Sequence, residues 1–358
     1  MEIDSKSNFD LHRHFQTGKL NKITDVPGVK VGHTTLNFDD INTGVTAIIP
    51  ASGNLFKEKV IAGCKVLNGF GKTTGLVQVK ELGTLETPIL MTNTFSVGTC
   101  YQALVKYMLK DNEDIGVTTG TVNPLVMECN DGDLNNIQKM AISEEDAILA
   151  LERAEKGDPN FTEGAVGAGR GMSCLGFKGG IGSASRTVKV GEDEYHVGAL
   201  VNSNFGSFGA LRIGDRFLGE EIKDAVLQRA VSENNELYTR FLDKKDKGSI
   251  VMVIATDAPL SSRQLSRMCA RSSMGLARTG SYSGDGSGDI ALAFSTANRI
   301  DHYAESSYSI RVMPDSKMDV FFEATVEVIE ESVISSLLHA KTITGLKNHT
   351  VYGLSDFL

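Results

Sequence analysis

The chain has 358 residues, of which 41% are hydrophobic and 23% are charged, and its formal net charge is -9. This composition is typical of a folded globular protein, and the acidic balance, with no block of lysines or arginines, argues against nucleic-acid partners and anionic membrane surfaces. The five scattered cysteines form no CxxC pair, no apolar run reaches the length of a membrane span, and no signal-peptide pattern is present, so we expect a cytoplasmic protein without a disulfide framework or a zinc site.

Strands and helices alternate irregularly in the predicted chain. Residues 1–20 are predicted to form a mobile arm. Short apolar or β-branched runs predict strands, and apolar residues three or four positions apart predict helices. The predicted strands are a short one that ends near 33, followed by 45–49, 76–79, 88–91, 195–201, 250–255, 290–295 and 318–323. The predicted helices are 97–109, 147–154, 220–241, 261–278 and 325–340.

No segment repeats, and no Pro- or Ser-rich linker divides the chain into independent halves. We therefore predict a single mixed α/β domain over residues 1–358, with layered sheets and helices. A glycine-rich tract, GAVGAGRGMSCLGFKGGIG, covers residues 164–182. It lacks the G-x-x-x-x-G-K-[ST] pattern and does not follow a clear strand, so close backbone packing around a pocket is favoured over phosphate binding.

The seven histidines include no HExxH motif, and each is expected to be structural or at the surface. We therefore predict no metal ion and no cofactor. A Ser-His-Asp triad stays open from the spacing alone, although the chain contains no G-x-S-x-G elbow.

The dipeptide Gly248-Ser249 joins a charged run, residues 243–247, to the apolar run 250–255. A polar linker therefore meets a buried strand, with a hydroxyl at the junction. If the chain breaks between the two residues, Ser249 gains a free α-amine with a pKa of about 7.7–8. A hydroxyl and an N-terminal amine on one residue are a known pair of nucleophile and base. On this dipeptide alone, a loop that ends at a strand, with serine chosen for its polarity, stays open.

Three other polar segments hold candidate site residues. Glu128 follows an apolar run and could pair with a substrate ammonium, whereas Asp131 nearby has the chemistry of a turn cap. Asn204, at a predicted strand end, could donate to a developing oxyanion or simply be a turn residue. Ser287 and Asp289 could orient an N-terminal amine, or could belong to a flexible loop.

Taken together, several segments resemble the DmpA-type peptidases, which are the L-aminopeptidase/D-esterase and β-peptidyl aminopeptidase family of self-cleaving serine hydrolases. The segments occur in the family's order and cover nearly the whole chain. They are ITDVPGVKVGHTT (23–35), TGVTAIIP (43–50), NGFGKTTGL (68–76), ECNDGDLNNIQ (128–138), GAVGAGRGMSCLGFKGGIGSAS (164–185), VGALVNSNFG (197–206), GSIVMVIATDAPL (248–260) and GSGDIALAFSTAN (286–298).

The resemblance implies a four-layer α-β-β-α sandwich, similar to N-terminal-nucleophile hydrolases but with its own connectivity. It implies self-cleavage between Gly248 and Ser249 into an α chain, 1–248, and a β chain, 249–358, that stay associated. Members of the family commonly assemble as tetramers of such heterodimers. They release N-terminal residues from small peptides, amides or esters, so these are the expected substrates.

The resemblance also implies a role for each matching residue. Ser249 matches the nucleophile, and Asn204 matches the oxyanion-hole amide. Ser287 matches the serine that contacts the nucleophile and its amine, and Asp289 falls where a carboxylate orients that amine. Glu128 matches the acidic residue that binds the substrate ammonium.

Two other functions stay open. An acyltransferase of the ornithine acetyltransferase type also cuts itself but uses threonine as the new N-terminus, whereas this chain has Ser249. Transfer of acetyl from acetylornithine to glutamate would identify such an enzyme. A non-catalytic protein that keeps the fold would remain a single uncut chain and would release nothing from alanyl-p-nitroanilide.

Overall fold

The computed structural model describes residues 9–242, 246 and 248–358. The strands are β1 (Lys30–Phe38), β2 (Ile41–Ile49), β3 (Glu58–Gly69), β4 (Thr84–Leu85), β5 (Ile89–Asn93), β6 (Leu125–Cys129), β7 (Ser173–Cys174), β8 (Phe177–Lys178), β9 (Gly180–Val190), β10 (Asp193–Asn204), β11 (Ser249–Thr256), β12 (Gly288–Asp301), β13 (Ile343–Thr344) and β14 (Thr350–Val351). The α-helices are α1 (Leu76–Leu82), α2 (Val97–Leu109), α3 (Glu144–Lys156), α4 (Leu218–Glu221), α5 (Lys223–Ser232), α6 (Glu236–Leu242), α7 (Ser262–Arg278) and α8 (Asp319–His339).

Two larger sheets organise the chain. The four-stranded sheet has the order β1-β2-β5-β6, and the six-stranded sheet has the order β4-β3-β12-β11-β10-β9. In the second sheet β11 is central, since it pairs in parallel with β12 and antiparallel with β10. Two-stranded ribbons of β7 with β8 and of β13 with β14 complete the pairing among the described residues.

Apolar side chains form three buried cores, which lie between four stacked layers of helices and sheets. Between the two sheets, residues such as Ile48, Met127 and Val253 are buried together. On the outer side of the four-stranded sheet, α2 and α3 cover residues such as Leu90. On the outer side of the six-stranded sheet, α7 and α8 cover residues such as Met252, which alternates with Val253 along β11. The predicted α-β-β-α sandwich is therefore confirmed.

Two segments predicted as strands are helical. Residues 76–79 lie in α1, between Gly75 and Gly83, whose φ angles of +82° and +71° suit glycine. A run of four apolar residues is too short for periodicity to separate helix from strand. Residues 319–323 form the start of α8, with Met318 as its N-cap, and this helix is buried on nearly every side, so no polar face marks its start.

Other differences concern the number of elements. The region predicted as one helix over 220–241 contains α4, α5 and α6. Strands β3, β6 and β9 were not predicted as separate elements. Strand β9 begins inside the glycine-rich tract, where a Cβ on Gly182 would lie 1.9 Å from the Ser332 carbonyl oxygen of α8. Glycine therefore lets this helix approach the sheet, in agreement with the predicted close backbone packing.

Residues 9–20, part of the segment predicted as a mobile arm, contact the body of the protein. Arg13 Nη2 is 2.6 Å from Glu331 Oε1, and the His14 N–H donates to Glu327 Oε1 at 2.7 Å. The Gln16 carbonyl accepts from the Thr187 N–H at 2.8 Å. These contacts fix the segment to α8 and β9, which the local polar sequence could not reveal. Residues 1–8 of the predicted arm lie outside the described residues.

Among the residues described, no helix combines the length and the apolar character that crossing a bilayer demands.

Candidate active site

Three adjacent strands of the six-stranded sheet end or begin at the same edge. Strand β10 ends at Asn204, β11 begins at Ser249 and β12 begins at Gly288, and the register pairs Asn204 with Ser249 and Ser249 with Gly288. The Ser249 side chain is buried, with 7% of the residue exposed, and its Oγ accepts the Gly288 N–H at 3.1 Å. The candidate nucleophile is thus held between two neighbours by the sheet itself.

Ser287 and Asp289 flank Gly288 and are both fully buried. The Ser287 hydroxyl donates to Asp289 Oδ1 at 2.5 Å. Burial raises the pKa of the Asp289 carboxyl, against the lowering effects of hydrogen bonds from the Ser287 and Ser283 hydroxyls and the Ile250 N–H. An α-amine on Ser249 would be a further, positively charged partner for this carboxyl group.

The Asn204 amide is already oriented by the backbone. Its Oδ1 accepts the Ser173 N–H at 2.9 Å, and its Nδ2 donates to the Asn130 carbonyl at 2.8 Å. An amide nitrogen carries two N–H groups, so a second donor remains at this nitrogen. The glycine-rich tract, which contains Ser173, therefore positions the amide beside Ser249.

Glu128 comes from the other sheet, at the end of β6, and is 2% exposed. Its Oε1 accepts the Lys72 N–H at 2.9 Å, and its Oε2 accepts the Thr94 hydroxyl. A Cβ on Gly71 would lie 3.8 Å from Glu128 Oε1 and 3.7 Å from Gly288 Cα. The carboxylate therefore approaches the edge of the sheet where Ser249 lies.

The loop between Gly69 and Thr73 connects these two parts of the site. The Phe70 N–H donates to the Ser287 carbonyl at 3.1 Å. Two residues later, the Lys72 N–H donates to Glu128. The structure thus brings Glu128, Asn204, Ser249, Ser287 and Asp289 to one region, although they are spread from position 128 to position 289 of the sequence.

Asp131 has a structural position. It is 1% exposed, and its carboxylate accepts the Thr43 hydroxyl at 2.6 Å and the Asn135 amide at 3.0 Å. Its backbone carbonyl accepts the N–H groups of Leu134 and Asn135, as expected of a turn. Burial raises the pKa of this carboxyl to about 6.

The described residues give Ser249 no histidine partner. His33 contacts Thr46, and burial lowers its pKa to about 4. His196 contacts Asp257. The described part of the chain also contains no cluster of His, Cys, Asp or Glu side chains arranged to hold a metal ion. A base for Ser249 has to come from another group.

Sequence reasoning missed one carboxylate at the site. Asp246 lies in the charged run that predicted a solvated linker, yet it is 5% exposed. Its Oδ1 accepts N–H groups from Gly206 at 2.9 Å and Gly248 at 3.3 Å. Neither the composition nor the spacing of the run distinguishes it from the neighbouring charged residues.

The chain is similar to known peptidases over nearly its whole length. The model of Peptidase family S58 matches residues 21–351. The chain is 37% identical over 347 residues to beta-peptidyl aminopeptidase BapA of Sphingosinicella microcystinivorans, with 94% of this chain and 86% of the relative covered.

Solved structures are similar over the same extent. A Pyrococcus horikoshii OT3 protein shares 50% identity with a TM-score of 0.88, covering 97% of this chain and 94% of the other. The L-aminopeptidase D-Ala-esterase/amidase of Ochrobactrum anthropi shares 32% identity with a TM-score of 0.85, covering 96% and 93%. That enzyme is described as a prototype for the serine aminopeptidases and as a variant of the Ntn hydrolase fold.

Proposed function

The chain belongs to peptidase family S58, and we propose that it is a self-processing serine aminopeptidase that also cleaves amides and esters. It is a hydrolase with the fold of N-terminal-nucleophile aminopeptidases. The observation that carries the proposal is the position of Ser249. It is the first residue of a buried strand, it directly follows Gly248, and its Oγ lies between Asn204 and the segment that holds Ser287 and Asp289.

Self-cleavage between Gly248 and Ser249 is the activating step. In the uncut chain the nitrogen of Ser249 is an amide and is not basic. Scission converts it into an α-amine with a pKa of about 7.7–8, which is a suitable base near neutral pH. The α chain 1–248 and the β chain 249–358 would remain together, since strands of both lie in one sheet.

Turnover then follows acyl transfer. The α-amine of Ser249 takes the proton from Oγ, directly or through Ser287, and Oγ attacks the substrate carbonyl. The carboxylate of Asp289 is buried on β12, one residue beyond Gly288, which pairs with Ser249, and it supports the amine when the amine is protonated. The amine then protonates the leaving group, and water releases the acyl-enzyme.

Two further residues stabilise the transition state and bind the substrate. The free N–H of the Asn204 amide donates to the oxyanion that forms on the substrate carbonyl. Glu128 binds the substrate ammonium, which restricts the enzyme to peptides, amides and esters with a free N-terminus. The BapA relative is named a beta-peptidyl aminopeptidase, which supports a search among both α- and β-aminoacyl substrates.

The remaining elements of the proposal concern assembly and location. We infer a tetramer of heterodimers in the cytoplasm, with neither cofactor nor metal ion. A gel-filtration mass of one α/β pair would contradict the tetramer. Acetyl transfer from acetylornithine to glutamate, without release from aminoacyl amides, would favour the acyltransferase.

The decisive test is Ser249→Ala. The variant is expected to remain a single chain on a denaturing gel and by intact mass, and to release no p-nitroaniline from alanyl-p-nitroanilide. Ser295→Ala is the matched control, because Ser295 is another buried serine, on β12, and its hydroxyl donates to the Ala258 carbonyl at 2.6 Å, at the opposite end of the strands. It should be cut and active. A Ser249→Ala protein that is cut, or that turns over substrate, would refute the assignment.

A further inference from the structure

The buried carboxylate of Asp246 has no part in the catalytic cycle, and its burial requires an explanation. A carboxylate withdrawn from water is costly unless donors replace the water. Only one of its oxygens is satisfied by the described residues. Oδ1 accepts the N–H groups of Gly206 and Gly248, whereas Oδ2 has no hydrogen-bond partner among the described residues.

Both donors lie at the bond proposed to break. Gly206 follows Asn204 by two residues, and Gly248 packs directly on the Asn204 backbone. A Cβ on Gly248 would lie 1.9 Å from the Asn204 carbonyl oxygen and 2.6 Å from Phe205 Cα, so only glycine fits. One carboxylate oxygen thus ties the residue before the scissile bond to the segment that carries the oxyanion amide. A glycine without such a restraint has access to many backbone conformations.

We propose that Asp246 is a positioning residue for chain scission, whose Oδ1 holds the Gly248 peptide so that its carbonyl carbon faces Ser249 Oγ. The inference rests on the proposed self-cleavage at this bond. Fixing two reacting groups in one geometry can supply several powers of ten in rate. A buried acceptor two residues before the attacked carbonyl is placed to do so.

The scission itself balances as an acyl shift followed by hydrolysis. Ser249 Oγ bonds to the Gly248 carbonyl carbon, the bond from that carbon to the Ser249 nitrogen breaks, and the Oγ proton passes to the nitrogen. Water then bonds to the same carbon and the ester C–O bond breaks. One proton of the water returns to Oγ, leaving a carboxyl group on Gly248 and an α-amine on Ser249.

The role of Asp246 ends with the cut. Scission creates a second carboxylate on Gly248, in the same three-residue tail as Asp246. Like charges this close repel. This repulsion favours movement of residues 246–248 away from Ser249 after the cut. Asp246 is therefore expected to contribute nothing to turnover.

The experiment follows scission of the full chain during cell-free synthesis, with denaturing gels taken over time. Asp246→Ala should be cut at least about tenfold more slowly than wild type, because the Gly248 restraint is lost. Asp246→Asn keeps an Oδ1 acceptor and should be cut within about fivefold of the wild-type rate, since a neutral oxygen is a somewhat weaker acceptor. Glu236→Ala removes a carboxylate that is 84% exposed, on α6, which precedes the cleavage site. This control should be cut at the wild-type rate.

Turnover of alanyl-p-nitroanilide per cut chain is the second readout, and it should be the same in all four proteins. If the wild-type chain is cut and Asp246→Ala is cut at the same rate, the role of Asp246 would be refuted while the proposed function would stand. Equal slowing of Asp246→Ala and Asp246→Asn would assign the effect to charge and contradict positioning through Oδ1. Lower turnover per cut chain in Asp246→Ala would place the residue in catalysis and also overturn the inference. A wild-type chain that is never cut would refute the proposed function as well.

Discussion

The replacement Asn204→Ala tests the oxyanion assignment quantitatively. The side chain makes two hydrogen bonds to the backbone, with Ser173 and Asn130, and its remaining N–H is the proposed oxyanion donor. Loss of one such donor typically costs about 2.7–4 kcal/mol of transition-state stabilisation, which corresponds to a fall of 10²–10³ in kcat. Loss of the two structural bonds costs about 1 kcal/mol each in the free energy of unfolding.

Asn235→Ala separates these two effects. Asn235 has a similar hydrogen-bonding pattern, since its Oδ1 accepts the Tyr238 N–H at 3.1 Å and its Nδ2 donates to the Thr350 carbonyl at 3.0 Å, with a longer bond of 3.4 Å to the Tyr352 hydroxyl. It lies between α5 and α6, in a different part of the sequence from the strand ends that form the site. The control should therefore lose a similar free energy of unfolding, about 2 kcal/mol, and keep the wild-type kcat.

The assay is p-nitroaniline release from alanyl-p-nitroanilide over a range of substrate concentrations, with kcat expressed per cut chain from intact mass. Asn204→Ala should lower kcat about 100-fold or more and change KM little, because the oxyanion exists only in the transition state. A kcat within a few-fold of wild type, or a raised KM with kcat unchanged, would remove Asn204 from the oxyanion hole.

The remaining predictions concern two carboxylates. Glu128→Gln keeps an acceptor for the Lys72 N–H but loses the charge. The kcat/KM for substrates with a free ammonium should therefore fall about 10-fold or more, from the loss of about 1.5–3 kcal/mol. The poor cleavage expected of N-acetylated esters, which lack the ammonium, should not fall further; an equal loss for both substrate types would contradict ammonium binding. The pKa of Asp131 is raised by burial to about 6, so the folded state binds its proton more tightly than the unfolded chain, and stability should fall by about 3 kcal/mol at most as the pH rises from about 4 through 6. Urea unfolding of the Ser249→Ala chain across this window measures the slope, and Asp131→Asn should flatten it; the same slope in both would refute the attribution.

The spacing of apolar residues along the chain correctly predicted elements that bury only one of their faces. Helix α2 was predicted over its full length, because Ala103, Leu104 and Met108 lie on one buried stripe. Helix α8 was predicted only from residue 325, because its first residues, 319–323, form a short run that also fits a strand. The burial of Glu327 and Glu331, which pair with Arg186, was not predicted either. Partners this distant in sequence are invisible to periodicity.

The same limit applies to the site. The sequence singled out Ser249 and Asn204 from their positions at strand ends, but their pairing across β10 and β11 depends on the sheet order, which no local pattern contains. Glu128 reaches the site from the other sheet through contacts of the loop at 70–72. Asp246 was missed because its burial within a charged run depends on a contact with Gly206, 40 residues earlier in the chain.

The order of the six-stranded sheet has a thermodynamic consequence. Strands β11 and β12 follow the proposed cut and lie between β3 and β10, which precede it. An uncut chain regains this arrangement in a unimolecular reaction, at a rate that does not depend on dilution. Once severed, the two polypeptides would have to meet again before the central strands could be reinserted, so unfolding becomes dissociation and the melting temperature would rise with protein concentration.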